Sequence, residues 1–247
     1  SVLQFIDHRY VRSCFHRFQD TLQAISIKNS NLCNPAFHCP QLKTLNLAKC
    51  ATILRVNLEG CRSLTELYFG TSMILEKHLE SSLTDLVNCN APLRVLRVNS
   101  CKNLATFKIP NIPTLRHLDL QRTNVYDQSV HDLLSSLPNL THINLDSCSM
   151  LRNVHVDSHP SLESIIMSKC RQLTRTRLIN CSKLREIDIS DTPVRPQEIE
   201  QLILSNPQVL RWGFSRAYKL DKLSLLSDPD DGMTTATIDA ESIDFSY

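Results

Sequence analysis

Glycine is scarce in this chain, with only four in 247 residues. No glycine-rich phosphate-binding motif is present, which excludes the common nucleotide-binding loops. No apolar run approaches the roughly 18 residues needed to span a bilayer, and the charges of Asp7, Arg9 and Arg12 make the first twenty residues unlike a secretory signal. The formal net charge is only +2, whereas nucleic-acid-binding domains are usually clearly basic. We therefore expect neither a membrane nor a nucleic acid as partner.

Cysteine is plentiful, but no two of the ten cysteines have the spacing Cys-x-x-Cys. Zinc ribbons and thioredoxin-type redox sites are therefore excluded. Six cysteines instead recur at one position of a repeat, which predicts buried thiols in a reducing compartment. We expect the protein to be intracellular, in the cytoplasm or nucleus. The six are Cys50, Cys61, Cys101, Cys148, Cys170 and Cys181.

The repeat has apolar residues at positions 1, 4 and 6 and a small residue or cysteine at position 9. Leu42, Leu45, Leu47 and Cys50 show it clearly, and it returns at intervals of about 11 residues. The alternation at positions 4 and 6 is typical of a short strand with one buried face. Two units make one coil of a solenoid. The strands of the concave side are predicted in the units that begin at residues 22, 42, 64, 93, 115, 140, 162, 184 and 209.

The convex side of each coil depends on the length of the coil. Coils of 22 residues have room only for a second extended segment, predicted in the units that begin at residues 53, 104, 151 and 173. Longer coils accommodate a helix, with Asp127 as one N-cap and Pro196 in one first turn. The predicted helices cover about residues 73–88 (inward Leu75, Leu79, Leu83 and Leu86), 128–136 (inward Val130, Leu133 and Leu134) and 196–205 (inward Ile199, Leu202 and Ile203).

The two ends of a solenoid need capping, because an open end exposes the core. Leu3, Ile6, Tyr10, Cys14 and Phe18 have helical spacing, so residues 1–21 are predicted to form an N-terminal capping helix. The repeats occupy residues 22–222. Residues 223–247 are predicted to be an acidic tail or cap, flexible or loosely docked, because residues 228–247 contain six acids and no Lys or Arg.

The motif LKTLNLAKC, followed by LEGCRSL, resembles the cysteine-containing subclass of leucine-rich repeats. The segment LRHLDLQRTNVYDQSVHDLLSSLPNLTHINLDSC resembles a whole coil of that subclass with its helix. The likeness covers residues 22–220 and implies an α/β fold, a right-handed solenoid with a curved parallel concave sheet. Such repeats are familiar in F-box substrate receptors of ubiquitin ligases and in effectors of intracellular bacteria. Several coils are shorter than is usual for the subclass, and no F-box pattern is legible in residues 1–21.

Positions 3, 5 and 7 of the concave strands are predicted to face solvent. Basic residues such as Lys28 and Arg97 lie in the N-terminal half and acids in the C-terminal half, a gradient that favours a complementary partner. Tyr68 beside Arg97 is either an anchor for the partner or a local stacking pair. The predicted partner-binding residues are Tyr68, Arg97, His117, Asp119, His142, Asn144, Asp146, Ile166, Glu186 and Asp188.

His117 and His142 occupy the same position in adjacent coils, with Asp119 and Asp146 nearby. Such a group is compatible with metal ligation, with a pH-sensitive patch or with two ordinary solvated histidines. No arrangement of a nucleophile and a base is present, and we expect no enzyme activity, no cofactor and no metal.

Two functions of different classes are favoured. The first is a non-catalytic module that binds a partner protein through the concave face, as the substrate-recognition part of a ubiquitin ligase. The second is an effector of an intracellular bacterium that targets a host protein and acts in the host cytoplasm. A metal-dependent hydrolase at the two histidines is a third hypothesis. In each of the first two, the protein is expected to be a monomer or a subunit of a larger complex.

Overall fold

The computed structural model describes residues 2–5 and 19–214. The strands, in chain order, are β1 (Val2–Phe5), β2 (Ala24–Ile27), β3 (Thr44–Asn46), β4 (Glu66–Tyr68), β5 (Val95–Arg97), β6 (His117–Asp119), β7 (His142–Asn144), β8 (Asn153–Asp157), β9 (Ser164–Ile166), β10 (Arg175–Ile179), β11 (Glu186–Asp188) and β12 (Arg211–Gly213). The helices among these residues are α1 (Glu76–Asn88), α2 (Asp127–Ser136) and α3 (Pro196–Ser205).

Ten of the strands form one parallel sheet in the order β1-β2-β3-β4-β5-β6-β7-β9-β11-β12. Each strand from β2 to β12 in this sheet begins at position 3 of a predicted unit, so the predicted strand positions are confirmed. The register aligns equal repeat positions, as where Leu96 of β5 pairs with Leu118 of β6. Because position 4 points inward, the sheet buries a continuous column of leucine and isoleucine from β2 to β11, which ends on Trp212 in β12.

The repeat cysteines connect successive coils through hydrogen bonds. The thiol of Cys50 donates to the carbonyl of Ile27 and the thiol of Cys148 to that of Leu120, each at 3.1 Å. In both cases the acceptor is position 6 of the preceding coil. Burial raises the pKa of Cys170 to about 12, and all six repeat cysteines are free and buried, as predicted.

A left-handed residue at position 8 turns the chain out of the concave strands β2 to β7, β9 and β11. Lys49 has a φ of 62°, and its N–H donates to the carbonyl of Gly70 in the next coil at 2.7 Å. At position 8 of eight coils the φ angle is positive, although no residue at that position is glycine. The residues are Asn29, Lys49, Thr71, Ser100, Arg122, Ser147, Lys169 and Asp191.

The three predicted helices are present, with differences at their first turns. Leu75 was predicted to point inward, but it is the N-cap of α1 and is 38% exposed. Asp127 was predicted as an N-cap, but Tyr126 holds that position. Instead, the Asp127 carboxylate accepts hydrogen bonds from the main-chain N–H groups of Arg152 and Asn153 in the following coil. Pro196 begins α3 as predicted.

Two of the four predicted convex segments form strands, β8 and β10, which pair in parallel. The unit at residue 53 has only an isolated bridge between Ala36 and Asn57. The unit at residue 104 forms no strand, since its N–H groups are bonded to side chains instead. The Glu76 carboxylate of α1 accepts those of Ala105 and Thr106, and Glu80 accepts that of Lys108.

The predicted N-terminal capping helix is wrong for Val2–Phe5, which form β1. This strand pairs in parallel with β2 and places Leu3 opposite Ile25. An open sheet edge leaves backbone groups unpaired, and a parallel strand supplies partners for them. Residues 6–18 of the predicted helix, the end of the predicted repeat region at 215–222, and the acidic tail at 223–247 lie outside the described residues.

Candidate partner-binding surface

The solvent-facing side of the ten-stranded sheet places three rows of side chains next to one another. Register sets Tyr68, Arg97 and Asp119 side by side in one row. It sets His117 beside His142 in the next row. The surface is therefore built by side chains from different coils that meet because equal positions align.

Tyr68 and Arg97 form the most distinct contact on this surface. The guanidinium carbon of Arg97 lies 5.3 Å from the centroid of the Tyr68 ring, which is cation–π distance. The Tyr68 hydroxyl donates to the Glu66 carboxylate at 2.8 Å, and the Thr44 hydroxyl donates to the same oxygen at 3.2 Å. Burial, together with Glu66, raises the pKa of Tyr68 to about 12. The Tyr68 ring is therefore held through its hydroxyl and contacted on its face by Arg97, which remains exposed.

His117 and His142 are stacked, with ring centroids 4.5 Å apart and ring planes 27° from parallel. Burial lowers the pKa of His117 below its ordinary value, and the nearby His142 and Arg97 lower it further. A ring nitrogen of His142, Nδ1, is 2.8 Å from the hydroxyl of Thr141. Protonation of His117 is therefore disfavoured.

Position 5 often carries a side chain that stabilises the turn after the strand. Oδ1 of Asp119 accepts the N–H of Gln121 at 3.0 Å. Asn144 and Asp188 accept the N–H two residues on in the same way, each at 2.9 Å. These three predicted contact residues are half-buried and have a structural role in addition to any role in binding. Burial raises the pKa of Asp119, although the N–H of Gln121 and the charge of Arg97 oppose the rise.

The exposure predicted for Asp146 and Glu186 is wrong, since the two are only 7% and 9% exposed. Asp146 accepts hydrogen bonds from Gln121, Ser147 and Ser168. Burial raises its pKa, but these three donors outweigh burial and lower the pKa overall.

Glu186 also has a partner at each of its two carboxylate oxygens. It accepts from the Ser164 hydroxyl at 2.7 Å, and Arg211 lies 3.7 Å from its other oxygen. Both carboxylates therefore have hydrogen-bond or ion-pair partners within the sheet and expose little surface to a partner.

Four side chains from four consecutive strands remain as the best-placed contact group, which we call the central strip: Tyr68, Arg97, His117 and His142. Ile166 is half-buried and lies beside Asn144 in register, next to this strip. Sequence reasoning missed the role of Glu66 as the anchor of Tyr68. The spacing i and i+2 on one strand was the available signal, because it puts both side chains on the same face.

Among the described residues, no group of three or more His, Cys, Asp and Glu side chains is placed to hold a metal ion. In the same part of the chain, no helix is long and apolar enough to cross a membrane.

The repeat and the ten-stranded parallel sheet together define a leucine-rich-repeat solenoid. A family model described as "FBD-associated F-box protein At5g56370, LRR repeats" matches residues 63–239. This match spans more than half of the chain, and the chain belongs to that leucine-rich-repeat family. Leucine-rich-repeat families of this kind are typically non-catalytic modules that bind other proteins.

Two individual proteins are similar to the chain. It is 28% identical over 199 residues to "Disease resistance protein RPS4B" of Arabidopsis thaliana, an alignment that covers 76% of this chain and 15% of that protein. The chain thus spans about 15% of the length of this curated relative. Among solved structures, an internalin (inlF) of Listeria monocytogenes has 16% identity and a TM-score of 0.31, over 71% of this chain and 68% of that chain. A TM-score this low carries no argument about function.

Proposed function

We propose that this protein binds a partner protein through the central strip and serves as the substrate-recognition part of a ubiquitin ligase. The observation that best supports this binding surface is the contact between Tyr68 and Arg97. The guanidinium is exposed, is stacked on a ring that is itself held by Glu66, and has no carboxylate within ion-pair distance among the described residues.

Such an arrangement is suited to binding because its geometry exists before the partner arrives. Side chains on a hydrogen-bonded sheet lose little conformational freedom on docking, so less binding energy is spent on ordering them. Tyr and Arg are also enriched among the residues that dominate the energy of protein interfaces.

The chemistry of the strip indicates what the partner presents. Arg97 matches a carboxylate, which a guanidinium binds through two parallel hydrogen bonds. The faces of Tyr68, His117 and His142 match an apolar or aromatic side chain beside it. We therefore propose an acidic residue next to an apolar residue as the recognised feature.

The ligase role is supported by the description of the matching family, which names an F-box protein. The effector hypothesis has no comparable support and is not proposed. An intracellular, reducing location fits the free thiols, because six of them are occupied as hydrogen-bond donors or packed in the core rather than paired.

The test is capture of partners by the full-length protein from a native lysate, followed by mass spectrometry. Wild type is compared with Tyr68→Ala/Arg97→Ala and with the convex control Arg55→Ala. We expect a ligase scaffold subunit in all three captures and a second protein lost only from the concave variant. Absence of any scaffold subunit would overturn the ligase role. Equal capture of every protein by the concave variant would overturn the binding surface.

A further inference from the structure

One location recurs from coil to coil, at the point where the convex segment begins. It is position 2 of the unit in coils without a convex helix and the N-cap in coils with one. In four consecutive coils the residue there is apolar, and we call these residues the lateral row: Leu54, Leu75, Ala105 and Tyr126. In the next three coils the same location is polar and holds Arg152, Thr174 and Arg195.

Hydrogen bonds place the members of the lateral row next to one another. The main-chain N–H of Tyr126 donates to the carbonyl of Ala105 at 3.3 Å. A ring nitrogen of His78, in the first turn after Leu75, lies 2.6 Å from the carbonyl of Leu54. The carboxylate of the residue that follows Leu75 accepts the N–H of Ala105. The row is therefore continuous across the four coils.

The lateral row is an exposed apolar patch. Leu54, Leu75 and Tyr126 are 46%, 38% and 43% exposed, and Met73, two residues before Leu75, is 52% exposed. These four are a majority of the seven large apolar side chains that are exposed in the described part of the chain, and the other three are Val87, Leu204 and Leu210. Single exposed apolar residues are ordinary, whereas a group of them in neighbouring coils is typical of an interaction site.

Three positive charges lie beside the lateral row. Lys77 is in the first turn of α1, and Lys102 precedes Ala105 by three residues. Arg152 continues the row in the following coil. All three side chains are exposed, and none has a carboxylate within ion-pair distance among the described residues. These cations are therefore available to a ligand.

The two acids next to the row in sequence, Glu76 and Asp127, are engaged by the main chain. Glu76 accepts the N–H groups of Ala105 and Thr106, and Asp127 accepts two N–H groups of the coil after it. These donors offset the negative charge of both carboxylates. A ligand that approaches the row thus meets apolar side chains flanked by free cations, which favours an apolar ligand with acidic groups at its sides.

The spacing of the coils matches the pitch of an α-helix. Hydrogen-bonded strands of neighbouring coils lie about 4.8 Å apart, and one helical turn advances about 5.4 Å. A helix that lies across the coils can therefore place one side chain over each coil. An extended segment fits less well, because side chains on one of its faces are about 6.6 Å apart.

We propose that the lateral row binds an amphipathic α-helix of a partner protein, with apolar residues on one face and acidic residues on both flanks. Helices commonly dock in this way, through one apolar residue per turn. The row lies where the convex side begins, outside the solvent-facing side of the sheet that carries the central strip. The proposal therefore stands independently of the function proposed for the strip.

The test uses three stapled helical peptides of 14 residues as probes. The first has leucine once per turn and glutamate on the flanks, the second has lysine in place of glutamate, and the third has serine in place of leucine. Binding to the full chain is followed by NMR of the methyl groups of Leu54, Met73 and Leu75. We expect the first peptide to bind at least about 10-fold more tightly than either of the others, because only it matches both the apolar row and the cations.

Variants of the protein test the location. Leu54→Ser/Leu75→Ser should weaken binding of the leucine–glutamate peptide about 10-fold or more. Val87→Ser/Leu204→Ser is the matched control, because it removes two exposed aliphatic side chains that lie outside the row, and it should stay within about twofold of wild type. Lys77→Glu/Lys102→Glu should reverse the preference between the glutamate and lysine peptides. Thermal melts confirm that each variant folds.

Four results would overturn the proposal. The first is a leucine–glutamate peptide that shifts none of the three methyl resonances. The second is equal affinity for all three peptides. The third is an equal loss of binding in the row variant and its control. The fourth is self-association of wild type that disappears in Leu54→Ser/Leu75→Ser, measured by sedimentation, since it would assign the row to a second copy of this chain.

Discussion

The guanidinium of Arg97 lies over the ring of Tyr68, 5.3 Å from its centroid, and the two side chains come from adjacent parallel strands. Removing both in Tyr68→Ala/Arg97→Ala is expected to raise the Kd for the captured partner about 30-fold or more, as at other interface anchors. The folding free energy should change little, because neither side chain is in the core. Titration calorimetry measures the affinity. The convex variants Arg55→Ala and Arg175→Ala should stay within about twofold of wild type, and a larger loss there than in the strip would show that binding uses the other side.

Asp119 can be neutralised without disturbing its turn. Asp119→Asn keeps an oxygen to accept the N–H of Gln121, as Asn144 already does in the next coil. We expect Asp119→Asn to leave the free energy of unfolding within about 0.5 kcal/mol of wild type and Asp119→Ala to lower it by about 1 kcal/mol. Urea denaturation measures both. If the two variants are equally stable, the acceptor is not what this position contributes.

Leu118 tests the register of the ladder. It is 2% exposed and is paired with Leu96 and Ile143 in the neighbouring strands. Leu118→Ala should lower the free energy of unfolding by about 2–5 kcal/mol, because it leaves a cavity in a packed column. The exposed Arg55→Ala is the control and should change stability by less than about 0.5 kcal/mol. A Leu118 variant that melts with wild type would contradict the inward position of this residue.

The cysteines should differ sharply in reactivity. Cys33 is exposed, whereas Cys61 and Cys170 are buried and each has a pKa raised to about 12, mainly by burial. Alkylation of the native protein with iodoacetamide at pH 8 is expected to label Cys33 first and to spare the other two until denaturant is added. Peptide mass spectrometry without reduction reports the labelled sites. Disulfide-linked peptides among the six repeat cysteines would contradict the reducing location.

Acid should destabilise the fold through His159. This ring is 3% exposed, accepts the N–H of Leu162 at Nδ1, and lies 3.2 Å from the carbonyl of Leu137 through Nε2. Burial lowers its pKa, although the bond to Leu137 opposes the change. The unfolded chain, with a histidine pKa of about 6.5, therefore binds a proton first, and stability present above pH 6.5 is lost as the pH falls below it.

The comparison is between urea denaturation at pH 7.5 and at pH 5 for wild type and His159→Asn. The variant should be less stable at pH 7.5 but should lose less stability between the two values. His117→Asn is run in parallel, because the pKa of His117 is also lowered, by burial first. An unchanged acid slope in the His159 variant would assign the effect to other groups.

The periodic part of the fold could be predicted from the sequence because each element repeats one local rule. Apolar residues at position 4, leucine or isoleucine in eight strands and Trp212 in β12, decide which face of a strand is buried, and nine strands followed from that. The rule says nothing about what lies beside a solvent-facing side chain. Asp146 is buried because Gln121 and Ser168 reach it from the coils on either side, and no spacing within its own strand signals them.

Two predictions from the sequence were wrong for the same reason: the N-cap at Asp127 and the helix over residues 2–5. Asp127 has the residue type of an N-cap, but a carboxylate can accept any nearby N–H, and here it accepts those of Arg152 and Asn153 in the next coil. In residues 2–5 the apolar spacing fits a strand as well as a helix, and the free edge of β2 decides in favour of the strand. Both outcomes depend on partners that are distant in sequence.

The regular spacing of the parallel strands also sets the length of ligand that can span the central strip. Adjacent strands lie about 4.8 Å apart, so the ten strands of the described sheet extend about 43 Å, whereas the four strands that carry the central strip extend only about 14 Å. An extended ligand that crosses the strands advances about 3.3 Å per residue and therefore covers the strip with four or five residues. A helical ligand, at about 1.5 Å per residue, needs nine or ten. Progressive shortening of a bound partner thus distinguishes the two conformations by the length at which affinity collapses.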